Sequence, residues 1–315
     1  MGFFASLINS MPSAVAQGLI WGIMAIGVYL TYRILDVADL TVDGSLGTGG
    51  AVCVVMVLNG VPVGLALLAA TAAGMLAGLV TGLFHTACGI PAILAGILTQ
   101  LALYSVNLRI MGFGTGGGKA NLPISVDKYG LLVSARYVRN VALNNPILIL
   151  AIFCAVLIAV LYWFFGTELG CSLRATGANQ NMARAQGINT NVAKVLGLMI
   201  SNGLVALAGG LLAQYQGFSD INMGRGAIVI GLAAVIIGEV IFSRIFRNFA
   251  LKLLSAVIGA IIYYIVMVFV LRLGLSTDDL KLLTALVVAL FLTIPYWKGK
   301  YFTKTSVKKG EKNHA

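Results

Sequence analysis

Acidic side chains are the first candidates for chemistry, because the chain carries only ten Asp and Glu residues. Asp39 and Asp43 flank a Leu-Thr-Val tripeptide, and a run rich in glycine and hydroxyl groups follows them. Carboxylates in or beside a membrane are costly and mark solute pathways or packing partners. A glycine-rich entry to a short apolar run is typical of a discontinuous helix that lines a substrate cavity. We predict a substrate path or gate at Asp39, Thr41, Asp43 and Ser45, with an ordinary loop before a helix as the alternative.

Two more polar residues lie inside apolar runs. Glu239 precedes Arg244 by a little more than one helical turn, which is compatible with a salt bridge at the membrane boundary or with a gate. Asn202 is compatible with a polar translocation path or with hydrogen bonding between helices. We add both residues to the predicted path.

Nucleotide and metal chemistry fit this sequence poorly. The stretch Gly112 to Ala120 resembles a phosphate loop, but Phe113 stands where the first glycine is required and Ala120 replaces the Ser or Thr. The two histidines, His85 and His314, are far apart, and the four cysteines have no CxxC spacing. The sequence therefore predicts a flexible external loop at 112–120, no metal site and no nucleotide hydrolysis.

The composition identifies the elements that must position these residues. Charged residues make up 10% of the chain, against about 25% in soluble domains, and successive apolar runs have the length of about 20 residues that crosses a bilayer. We predict an all-α, polytopic helical membrane protein with about nine membrane segments, within a range of eight to ten. The segments are 13–32, 45–60, 63–84, 91–110, 146–166, 192–215, 226–243, 252–271 and 281–297. Residues 1–300 form one transmembrane domain, with the first run a retained helix rather than a cleaved signal peptide, and 301–315 form a basic tail.

The positive charges are arranged as topology signals rather than as a nucleic-acid footprint. The net charge is +11, and the cations cluster in two connections and in the lysine-rich tail. The positive-inside rule places these regions, and hence the C-terminus, in the cytoplasm. The connections 111–145, 216–225 and 272–280 are then external, as is the N-terminus. We predict the lipid bilayer as a partner, and no nucleic acid.

Small residues at four-residue spacing predict close helix packing. Ala70, Gly74, Gly78 and Gly82 form one ladder, and Gly18 and Gly22 form another. Such residues let helix backbones approach closely in lipid. The ladders predict a bundle and indicate no particular function.

A polar stretch from Leu173 to Lys194 interrupts two long apolar runs. Asn179 is a good N-cap and Gly187 a natural C-terminal stop, so the sequence predicts a short helix of about two turns between them. Ala178, Met182 and Ala185 share one face at helical spacing. This face is typical of a docking element, and an ordinary connecting helix is the alternative.

Three separated motifs resemble one family. The segment GCSLRATGANQNMARAQGINTNVAKVLGLMISNGLVALAGGLLAQYQG is similar to the cytoplasmic coupling-helix region of ABC importer permeases for branched-chain amino acids and ribose-type sugars. The segments DLTVDGS and GRGAIVIGLAAVIIGE occur in the same order as in tryptophan/tyrosine-type permeases of that family. The resemblance covers residues 12–297.

The resemblance implies a transport subunit of the bacterial cell membrane rather than an enzyme. It implies a path for a small solute, such as an aromatic or other amino acid, and a second permease copy in a homodimer. It implies an external substrate-binding protein and two cytoplasmic ATPase subunits, which bind ATP and Mg, so that this chain has no cofactor of its own. The implied coupling residues are Thr176, Gly177, Ala178, Asn179, Asn181, Met182, Ala183, Arg184, Ala185, Gly187 and Ile188.

Two other classes of protein are the alternatives. An ion-coupled secondary transporter would use Asp39, Asp43 or Glu239 to bind protons or sodium. A membrane-embedded enzyme would need a cluster of His, Cys, Asp or Glu, and the sequence shows none.

Overall fold

The computed structural model describes residues 3–114, 117–126, 128–138, 145–242, 246, 248–272 and, singly or in short runs, 282, 284–286, 288–290 and 293. Ten α-helices form most of this part of the chain. They are α1 Phe3–Tyr29, α2 Val42–Leu58, α3 Val63–Thr86, α4 Ala92–Met111, α5 Pro146–Phe165, α6 Glu168–Ala178, α7 Gln180–Ala185, α8 Thr190–Gln216, α9 Ala227–Phe242 and α10 Phe249–Arg272. Two short antiparallel strands, β1 Asn121–Pro123 and β2 Phe218–Asp220, and a 3₁₀ turn at Ala135–Tyr137 accompany them.

The helices confirm the predicted polytopic class. Six stretches are long and apolar enough to cross a membrane: Asn9–Leu35, Val63–Thr86, Ala92–Met111, Pro146–Phe165, Thr190–Gln216 and Phe249–Leu271. The shorter apolar helices α2 and α9 match two more predicted segments. The ninth predicted segment, 281–297, lies largely outside the described residues, as do Arg244 and the whole tail 301–315.

The helical structure is interrupted between α1 and α2. The sequence was compatible with either a loop or a broken helix in this segment. The first helix does not stop at residue 32, as predicted, but continues as a π-helical turn over Leu30–Leu35. Asp36 then takes a left-handed backbone conformation, with φ of 55°, which ends the helix. Residues 37–39 are non-helical, a turn follows, and α2 begins at Val42. Val37, Asp39 and Thr41 are buried, whereas Asp36 and Ala38 are exposed, so one side of this connection packs into the bundle.

Helix α8 is the central helix, and α1, α2 and α3 pack around it. A Cβ atom at Gly74 or Gly78 of α3 would strike a backbone oxygen of α8. One at Gly18 of α1 would lie 2.6 Å from the Cα atom of Ile261 in α10. The predicted ladders therefore lie at two helix–helix interfaces, because only a missing side chain permits these backbone approaches.

The connections gather at two ends of the bundle. Strand β1 follows α4 and pairs with β2, which follows α8, so the connections 112–138 and 217–226 share one end, here called the strand end. The Arg174 guanidinium lies 5.5 Å from the ring centre of Phe249, and Arg33 pairs with Glu239. These residues mark the opposite end, here called the basic end. For the described connections, the grouping agrees with the alternation that the sequence predicted, while the connection 272–280 and the tail lie outside the described residues.

Candidate functional site

Four of the predicted path residues form one buried hydrogen-bond network. The Asn202 side chain donates from Nδ2 to Asp39 Oδ2 at 2.6 Å, and the Ser45 hydroxyl donates to Asn202 Oδ1 at 2.6 Å. The backbone N–H of Thr41 donates to Asp39 Oδ1 at 2.9 Å. All four residues are at most 2% exposed. The network gives both Asp39 carboxylate oxygens a hydrogen-bond partner, which a buried polar group needs in order to be tolerated. It also links the broken segment to α8.

Two threonines extend this network and were not predicted. The Thr41 hydroxyl lies 2.7 Å from that of Thr81 in α3, which lies 2.9 Å from the hydroxyl of Thr99 in α4. Thr81 and Thr99 also bond carbonyl oxygens one turn back in their own helices. A threonine can bond its own helix anywhere in an apolar run, so the sequence carried no signal that these two would meet. The network thus joins four helices.

Asp43 is separate from this network. Its Oδ2 accepts from the Gly226 N–H and its Oδ1 from the Ile228 N–H, each at 3.0 Å, at the start of α9. A carboxylate is favourable there, because the first N–H groups of a helix have no partner inside the helix and the helix dipole is positive at that end. Asp43 also lines a cavity of about 270 Å³, together with Tyr104 and Arg225. The predicted path residues therefore divide between a closed network and an open cavity.

Glu239 forms a salt bridge with a cation that the sequence did not suggest, Arg33. Its Oε1 lies 2.9 Å from Nε of Arg33, whereas the expected partner, Arg244, lies outside the described residues. The pair lines an open cavity of about 850 Å³ at the basic end, with Arg174 and Lys252 among the other walls. Arg33 was not predicted as a site residue, because its contact with α9 is a tertiary one.

The short helix in the polar stretch, α7, has the N-cap that the sequence predicted, Asn179. The Asn179 side chain accepts from the Met182 N–H at 3.1 Å, and Gly187 has φ of 81° just after the helix ends. Thr176, Gly177 and Ala178 do not belong to this helix, however. They form the last turn of α6, a helix that the sequence analysis did not predict. The Thr167 side chain caps the N-terminus of α6. Thr176 is buried there, at 1% exposed.

The exposed surface of α7 carries two of the three residues of the predicted apolar face, Met182 and Ala185. Met182 is 64% exposed. Ala178, the third residue, is also exposed, but it ends α6 and does not share a helix with the other two. Ala183 is buried against the protein, and the Arg184 side chain donates from Nε to the Thr190 hydroxyl at 2.9 Å. These contacts hold the helix in place while its methionine faces outward. Asn181 is also exposed and Ile188 is half-buried.

The described residues contain no group of three His, Cys, Asp or Glu side chains that could hold a metal ion. His85 has a local role, since its Nδ1 lies 2.9 Å from the Ile90 carbonyl oxygen in the connection between α3 and α4. His314 lies outside the described part of the chain.

Comparison with known proteins gives a consistent set of relatives. A family model described as "Branched-chain amino acid transport system / permease component" matches residues 10–294. The tyrosine transport system permease protein of Clostridioides difficile (strain R20291) is 41% identical over 286 residues, which cover 90% of this chain and 90% of that protein. The ribose import permease protein RbsC of Escherichia coli (strain K12) is 27% identical, over 73% of this chain and 69% of that protein.

One solved structure shares the fold. PsaBC from Streptococcus pneumoniae in complex with Fab aligns with a TM-score of 0.52, over 95% of this chain and 98% of that one. The sequence identity is 16%, so this likeness bears on the fold alone.

Proposed function

Because this chain belongs to the family of branched-chain amino acid transport system permease components, we propose that it forms the solute path of an ATP-driven ABC importer. As in other members, the permease is a multi-pass protein of the bacterial cell membrane. The basic end is then cytoplasmic, together with the C-terminus, since cytoplasmic connections are rich in Lys and Arg. The strand end faces outward.

The exposed face of α7 is the observation that supports this proposal most directly. A six-residue helix capped at both ends presents Met182 to solvent at the basic end. A flexible methionine on an otherwise small surface fits into a partner's groove at little packing cost. We assign α7 as the coupling helix that contacts an ATPase subunit. Gly177 has another role, which is to pack α6 against the π-helical turn before the broken segment, and Thr176 is buried in α6.

The partners follow from the same proposal. Two ATPase subunits bind ATP and Mg below the membrane, and a second copy of this chain completes the path. A binding protein delivers the solute at the strand end. Motion of α7 then reaches the path through α8, because Arg184 is bonded to Thr190 in the first turn of α8 and Asn202 of the same helix holds Asp39.

An amino acid is the solute class that we propose. The relative with 41% identity is named for tyrosine transport, and the ribose permease is more distant at 27%. We therefore favour an aromatic or similar amino acid over a sugar.

Uptake into proteoliposomes tests the function. The permease is reconstituted with its ATPase and binding protein, and radiolabelled L-tyrosine uptake is measured with and without internal ATP and Mg. We expect uptake only with all three proteins and ATP, and we expect no loss of uptake when an ionophore dissipates ion gradients. Uptake by the permease alone that an ionophore abolishes would instead establish the ion-coupled transporter.

Met182→Asp tests the coupling helix in the same preparation. A buried, unpaired charge in the docked groove is costly, so we expect ATPase co-purification and ATP-driven uptake to fall at least about tenfold, which corresponds to about 1.4 kcal/mol of binding free energy. Phe113→Asp is the matched control for ATPase co-purification, because Phe113 is 76% exposed and follows α4 at the strand end, away from the proposed ATPase face. Unchanged ATPase capture by the Met182→Asp variant would remove α7 from the docking surface.

A further inference from the structure

The cavity beside the first turn of α2 contains side chains that the proposed function has not used. Gln100, Tyr104 and Asn107 of α4 line it, together with Asp43 and Arg225. Its volume of about 270 Å³ is close to the lower limit of ligand pockets, roughly 300 Å³. The cavity therefore suits a solute of amino-acid size rather than a larger one.

Asn107 has an unused hydrogen-bonding group at this cavity. The residue is 2% exposed, and its Oδ1 has no hydrogen-bond partner within the described part of the chain. Its Nδ2 makes only a long bond of 3.5 Å to the Gly44 carbonyl oxygen. Since buried polar atoms nearly always have a partner, a donor that enters the cavity would complete the bonding of this amide.

The cavity also holds two opposite charges that are not paired with each other. The Gly226 and Ile228 N–H groups bond the two Asp43 oxygens and the Ala227 N–H also interacts with the carboxylate. A carboxylate offers about four acceptor sites, so acceptor capacity remains. Arg225 is exposed, and the one ion pair between described side chains is Arg33–Glu239, so none of the described carboxylates neutralises the Arg225 guanidinium. A carboxylate and a guanidinium in one cavity complement the ammonium and carboxylate groups of a zwitterion.

The position of the cavity fits delivery from outside. Asn107 lies four residues before the end of α4 at Met111, or about 6 Å at 1.5 Å per residue. A cavity with Asp and Arg walls would be costly against lipid, so it belongs on a face that water reaches.

We propose that this cavity is a binding site for the zwitterionic head of an α-amino acid on the translocation path. Arg225 holds the ligand carboxylate, and Asp43 and Asn107 Oδ1 accept from its ammonium group.

This inference rests on the proposed function, and three probes that share a phenyl group and a two-carbon chain test it. L-phenylalanine carries both charged groups, phenethylamine lacks the carboxylate, and 3-phenylpropionate lacks the amine. Saturation-transfer NMR on the purified permease in nanodiscs, at about 10 mM probe, detects binding with millimolar dissociation constants. We expect a signal from L-phenylalanine that is about tenfold stronger than the signal from either analogue, because each analogue leaves one charged group of the site without its partner.

Two variants separate binding from folding. Arg225→Gln should abolish the L-phenylalanine signal, whereas Arg109→Gln, which removes an exposed cation of α4 outside the cavity, should leave it unchanged. Asn107→Leu should weaken binding about tenfold without lowering thermal stability, since it removes an unsatisfied amide.

Three results would overturn the assignment: no L-phenylalanine signal, equal signals from the three probes, or an Arg225→Gln variant that binds as the native chain does. ATPase capture by the same preparation is scored separately. If capture succeeds and binding fails, only the zwitterion site is wrong. If binding succeeds and capture fails, the importer assignment is wrong.

Discussion

At the scale of single residues, Asp39 and Asp43 show how two neighbouring carboxylates receive different environments. Asp39 is enclosed by Asn202 and Thr41 and is 2% exposed. Asp43 is partly exposed, caps α9 and borders a cavity. The first is suited to holding the broken segment in place, and the second has free acceptor capacity for a ligand. That both residues line a solute path stays a prediction.

Asn202→Leu tests the holding role. The change removes the donor to Asp39 Oδ2 and the acceptor for the Ser45 hydroxyl, so two buried polar groups lose their partners. We expect the free energy of unfolding to fall by about 1–3 kcal/mol or more, measured by thermal unfolding in detergent. Asn191→Leu, at an exposed position in the first turn of α8, should change stability little. Equal melting temperatures for the two variants would show that the network does not stabilise the fold.

At the scale of helices, close packing at the described interfaces requires glycine at particular positions. Gly78 faces the backbone of α8, while a Cβ atom added at Gly64, in the first turn of the same helix, would meet no described atom of another element within 4 Å. The two glycines have similar sequence surroundings, since both lie in apolar runs. Their different contacts follow only from which face of α3 meets α8.

Gly78→Val and Gly64→Val form a matched pair for this interface. Overpacking costs about 1–3 kcal/mol and occasionally more, and at Gly78 the obstacle is backbone, which cannot rotate away. We expect Gly78→Val to lower the thermal midpoint strongly or to prevent recovery of monodisperse protein, and Gly64→Val to behave as the native chain. Size-exclusion chromatography after a series of heat treatments measures both. Native behaviour of the Gly78 variant would contradict the described packing of α3 on α8.

At the scale of the whole molecule, side-chain contacts between segments that are distant in sequence hold the basic end together. Arg33, at the end of the first span, pairs with Glu239 in α9, and Arg174 lies over Phe249 at the start of α10. These contacts surround the open cavity of about 850 Å³ beside the end of α6. An importer opens and closes such an end through its partners, so weak, partly exposed contacts suit this place better than a closed core does.

Glu239→Gln tests the part that this ion pair plays. The side chains of Arg33 and Glu239 are 59% and 28% exposed. We therefore expect Glu239→Gln to lower the free energy of unfolding by less than about 1 kcal/mol. ATP-driven uptake should keep most of its rate, because an importer powered by ATP needs no titrating carboxylate in the membrane. The charge swap, Arg33→Glu with Glu239→Arg, should restore the small stability loss. Complete loss of uptake in Glu239→Gln, with stability retained, would favour ion coupling.

The sequence by itself determined the features that depend on neighbouring residues. Run length and hydropathy predicted eight described apolar helices, and local capping chemistry predicted α7 between Asn179 and Gly187, because both signals act within a few positions. Pairing partners were decided only by the tertiary structure. Asn202 reaches Asp39 across 163 residues, and Gly226 reaches Asp43 across 183. A buried polar group needs a hydrogen-bond partner, but the sequence does not specify which residue provides it. The difference between the closed network and the open cavity therefore follows only from how the helices pack.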